Sequence, residues 1–89
     1  MTNVKEVGLQ NIENEIRGLA TEEGFTWERF SEIRNDPCVA EYYRLREEDK
    51  GGFSAVSFMF GLSLELRLAL LVLNKERVLL RNLDSVINS

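Results

Sequence analysis

From Leu62 to Leu73 the chain is aliphatic almost without interruption, broken only by Ser63, Glu65, Arg67 and the small Ala69. No other stretch is apolar enough to form the centre of a core. Any fold must bury it, and two periodicities compete to say how. Leu62, Leu66, Leu70 and Leu73 recur at helical spacing, and Leu79 or Leu80, Leu83 and Ile87 continue the stripe. Leu62, Leu64, Leu66, Leu68 and Leu70 also alternate with Ser63, Glu65, Arg67 and Ala69, the period of a half-buried strand. In that second reading residues 74–77 turn a β-hairpin back into Val78, Leu79 and Leu80. Leucine is a strong helix former and β-branched residues are scarce here, so the helix is preferred.

The residues before this stretch carry helix start and stop signals. Asn3 and Glu6 fit a capping box, and Leu9, Ile12, Ile16 and Leu19 then follow on one face. Gly8 and Gly18 weaken that helix, each by about 1 kcal/mol against alanine, and are read as marking frayed ends rather than a close helix contact. Gly24 suits a left-handed C-cap. Thr26 suits an N-cap, with Phe25 and Phe30 as a hydrophobic staple. Asp36–Pro37 starts a third helix, because proline at the first helical position forfeits no hydrogen bond. Cys38, Val39, Tyr42 and Leu45 face inward on it, and the paired glycines after Lys50 end it. Ser54 and Ser63 suit the caps of two more.

The expected architecture is therefore all-α, a single domain over 1–89. Short amphipathic helices at about 4–20, 26–34, 37–49 and 54–60 precede a long leucine-rich helix at about 63–87. The alternative is α+β with a C-terminal hairpin. As a helix, the stretch to Leu73 is apolar around most of its circumference and must be covered on all sides. The short helices of one chain cover only part of it. A homodimer follows, with Leu62, Leu66, Leu70, Leu73, Leu80, Leu83 and Ile87 as its interface or as a surface for another partner.

Chemistry-bearing residues are few. There is no histidine, so the commonest general base at neutral pH is missing. Cys38 lacks a base to activate it. Cysteine, histidine and carboxylate spacings for zinc or calcium are absent, as are glycine-rich phosphate loops. No catalytic residue, metal site or cofactor is expected. One cysteine and a polar start, without the look of a signal peptide, point to a cytoplasmic protein. The apolar run from Phe53 to Leu73 is long enough to span a bilayer, but Glu65 and Arg67 offset the gain from its leucines, so a membrane segment is not expected.

Tyr43, Arg44 and Glu47 form a candidate second surface, because an exposed tyrosine among charged groups has the composition of an interface. The net charge is −4. Phosphate backbones repel such a chain, which disfavours nucleic acid and favours a partner with a basic surface. The reading is a small non-enzymatic interaction or regulatory module: an adaptor, inhibitor or assembly component. The alternative is a helix–turn–helix or winged-helix DNA reader built on Trp27–Asp49. Against it, the base-reading positions hold Pro37, Cys38, Val39 and Ala40, none of which makes a bidentate base contact.

Overall fold

Each helix but one begins where a side chain satisfies its first free amides. The computed structural model describes residues 3–50 and 52–88. The helices are α1 (Val4–Glu22), α2 (Trp27–Arg34), α3 (Pro37–Glu48), α4 (Phe53–Phe60) and α5 (Leu64–Ile87), and no strand occurs among the described residues. Asn3 accepts from the amides of Lys5 and Glu6, Thr26 from Arg29, Asp36 from Cys38 and Ser63 from Leu66. The turn after α1 is a Schellman motif: the Phe25 amide reaches Ala20 O and the Gly24 amide reaches Thr21 O, with Gly24 at φ 90°. Phe25 then packs edge-on against Phe30, their ring centres 5.8 Å apart, as a hydrophobic staple requires.

The exception is α4. Its N-cap is Gly52, at φ 76°, not Ser54. Ser54 lies inside the first turn, where its amide and hydroxyl both donate to Asp49 Oδ2, at 3.2 and 3.0 Å. The capping oxygen thus comes from the end of α3, across the glycine joint.

The hairpin alternative is overturned. Residues 64–87 are one helix, and its buried positions are Ala69, Leu70, Val72 and Leu73. Two adjacent pairs with Leu71 exposed between them fit a helix against a core; a strand would bury alternate residues.

α1 and α5 run antiparallel: the first turns of α1 meet the end of α5, and the residues after α1 meet its start, where Arg29 binds Glu65. The core lies between the second half of α1, α2, α3 and the first half of α5. Ile16, Phe30, Ile33 and Leu70 are its largest fully buried side chains. No residue of 4–15 and none of 74–87 is buried, so the other halves of α1 and α5 form a two-helix arm. Gly8 sits in that arm, and a Cβ there would lie 2.5 Å from Leu83 Cδ1. It marks a close helix contact, not the frayed end expected from sequence; around Gly18 nothing lies within 4 Å.

Candidate functional site

Two surfaces stand out, and both arise from how α5 is covered. α1 lies along one side of α5 as far as the end of that last helix, the residues after α1 meet the start of α5, and α2 and α3 cover only its first half. The second half is left open on the side facing α3 and α4. There a groove of about 840 Å³ runs between the end of α3, the start of α4 and residues 74–81 of α5.

The floor of the groove is a polar cluster centred on Asn74. Tyr43 Oη and Arg46 Nη1 both donate to Asn74 Oδ1 at 2.8 Å, and Asn74 Nδ2 donates to Tyr42 Oη at 3.4 Å. The two tyrosine rings meet edge to face, 5.1 Å between centres. The Arg77 guanidinium lies over Tyr43 at 3.5 Å, and that of Arg46 lies 5.8 Å from both rings. Burial pushes the Tyr43 phenol above its ordinary pKa, while the Arg77 charge pulls the other way. The phenol therefore stays protonated at neutral pH and serves as a donor.

Arg46, Arg77 and Arg81 line the groove, and no carboxylate among the described residues pairs with any of them. Of the two acids on its walls, Glu76 is held by Arg34 at 2.5 Å, which leaves Glu47. Ala55, Val56, Val78 and Leu80 supply apolar wall. A chain of net charge −4 thus carries a locally cationic, half-apolar trough.

The second surface is the outer face of α5. Leu64, Leu71 and Val78 are exposed on it, seven residues apart, with Lys75 and Asn82 between and beyond them. On α4, Phe53, Val56 and Phe60 share an outward stripe, and Phe53 is 79% exposed.

The residues expected from sequence divide among these surfaces. Leu70 and Leu73 belong to the chain's own core, so they present nothing to a partner; α1, α2 and α3 cover that face. Leu62 and Leu66 are half-buried against the same core, while Leu83 is half-buried in the arm, against α1 at Gly8. Leu80 and Ile87 are exposed on the arm. Tyr43 and Glu47, four residues apart, do line the groove. Arg44 does not; it points aside, tied to Glu41 and Glu48. Arg46 stands where Arg44 was expected. Leu64, Leu71, Val78, Arg77 and Arg81 were missed. The seven-residue spacing was a signal for the first three, obscured by the leucines beside them.

Cys38 is half-buried, and desolvation together with Asp36 raises its thiol pKa, the opposite of nucleophile activation. No group of three or more cysteine or carboxylate side chains placed to hold a metal ion occurs among the described residues. Among the described residues, no helix is long and apolar enough to cross a membrane. Compared with family models, with curated proteins and with solved structures, the chain matches none.

Proposed function

We propose that this chain is a small, non-enzymatic interaction module that pairs with a second copy of itself through the outer face of α5. The observation that carries the reading is excess surface. A monomeric protein of 10.3 kDa is expected to expose about 5,400 Å². This chain exposes 6181 Å², and the excess of about 800 Å² equals one partner's share of a standard interface. Its radius of gyration of 14.4 Å likewise exceeds the roughly 12 Å of a compact domain this long.

Leu64, Leu71 and Val78 take the place of one apolar position of a heptad seam, and Lys75 and Asn82 fall at the other. Polar residues at that position fix register and partner number at some cost in stability. A two-fold pair with α5 against α5 buries the same stripe from each subunit. No observation favours the DNA reader. Val39 is buried and Cys38 half-buried at the start of α3, and its exposed side carries Glu41, Arg44 and Glu48 tied to one another.

Light scattering on a size-exclusion column tests the pairing. A dimer mass at micromolar concentration is expected, reduced to a monomer by Leu71→Glu with the helical circular dichroism retained. A wild-type protein that elutes as a monomer overturns it.

A further inference from the structure

We infer that the groove between α3, α4 and the second half of α5 binds an acidic, amphipathic helical segment of a different protein. The inference rests on the reading of the chain as an interaction module, but it uses another surface and other residues.

Shape comes first. The groove is the space a further helix would occupy to complete the cover of α5. A helix about 10 Å across rising about 5.4 Å per turn displaces roughly 400 Å³ per turn, so 840 Å³ accommodates about two turns. Two turns present apolar anchors at i, i+3, i+4 and i+7, the usual pattern of a helix laid in a groove. Val56 on one wall and Leu80 on the other offer the apolar contact for them.

Charge decides the rest of the chemistry. Arg46, Arg77 and Arg81 face the groove without a carboxylate partner, while Glu76 is already neutralised by Arg34. The Arg77 guanidinium is held over the Tyr43 ring, its carbon 3.5 Å from the ring centre, which limits its rotamers. Asn74 fixes Arg46 in the same way. Less rotamer freedom is then lost when a carboxylate binds. A nucleic acid would use the arginines but not the aliphatic walls, and the remaining charge of the chain would repel it. An acidic amphipathic peptide uses both.

The test is a selection from a displayed library of helix-forming peptides of three to four turns, apolar at i, i+3, i+4 and i+7 and random elsewhere. Enrichment of Asp and Glu at the random positions is expected. The strongest peptide, labelled and followed by fluorescence anisotropy, should bind about tenfold more weakly or worse to R77E/R81E. It should weaken with added salt and bind Leu71→Glu as it binds the parent. Val56→Ser should weaken it by a smaller factor. Should R77E/R81E lose helicity, Arg81→Glu alone is read in its place, since Arg81 is exposed and forms no ion pair among the described residues.

Absence of enrichment overturns the inference, as does enrichment of neutral or basic peptides, or acidic binding that survives the arginine changes. A labelled oligothymidylate that binds through the same arginines more tightly than the peptide also overturns it. Loss of the dimer with peptide binding intact overturns only the self-association reading, so the two failures are distinguishable.

Discussion

At Gly8 and Gly18 the same residue type has opposite meanings within one helix. Both are helical, so a methyl group should favour the helix by up to about 1 kcal/mol at either. At Gly18 nothing lies within 4 Å, and Gly18→Ala is expected to realise most of that gain. At Gly8 the new Cβ meets Leu83 Cδ1 at 2.5 Å and Cδ2 at 3.0 Å. Leu83 has to turn aside and give up part of its contact with α1, which offsets the helix gain. Gly18→Ala should therefore raise the melting temperature by roughly 4 °C or more, and Gly8→Ala should leave it level or lower it. The ion pairs differ in a similar way. Arg34 and Glu76 are 33% and 17% exposed, and Arg34 also lies 5.3 Å from the centres of the Trp27 and Phe30 rings. Glu76→Ala strands a half-buried guanidinium and is expected to cost about 1.5–3 kcal/mol in urea denaturation. Glu13→Ala removes an exposed pair with Arg17 at 3.8 Å and should leave the urea midpoint unchanged.

At the scale of the element, Leu70 and Leu71 are chain neighbours with opposite environments, 0% and 60% exposed. Leu70→Ala opens a cavity in a core too small to absorb it, with an expected loss of about 2–5 kcal/mol. Leu71→Ala should not change the unfolding transition of the monomer, yet, on the proposed pairing of α5 with α5, it should shift a dimer–monomer equilibrium measured by sedimentation. A strand over 62–70 would instead make Leu70 and Leu68 equivalent. The helix ends were legible because capping is local chemistry: Asn3, Thr26, Asp36, Pro37 and Ser63 each act within a few residues of themselves. The cap of α4 was misplaced by two residues because its oxygen comes from Asp49, across the glycine joint. The leucine stripe was legible as helical, but its facing was not. A helix apolar on nearly all sides gives no sequence sign of which side its own chain covers, and the stripe assigned to a partner contains Leu70 and Leu73. The groove was less legible still. Arg46, Val56 and Arg77 lie on three helices, and no spacing along the chain announces that they converge.

At the scale of the whole molecule, the extents of 47 × 30 × 18 Å describe a thin body from which the two-helix arm projects. α5 alone is about 36 Å long at 1.5 Å per residue. The core reaches from Ile16 to Ala20 on α1 and from Ala69 to Leu73 on α5. The arm beyond is held by half-buried contacts such as Gly8 against Leu83. Amide exchange reports local opening, and its free energy follows the apolar contacts that must break. Amides of 7–11 and 80–87 should thus exchange far faster than those of 69–73, although all lie in helices. If α5 pairs with α5, Val78 brings part of the arm into the interface, and mass action stabilises it as concentration rises. Dilution through the dimer–monomer transition should accelerate exchange over 75–87 and leave 69–73 at the rate set by global unfolding. A uniform acceleration would mean that the core itself depends on the partner, so that the monomer has no independent fold. Selective acceleration means that the core folds alone, and that the arm is the segment ordered by association.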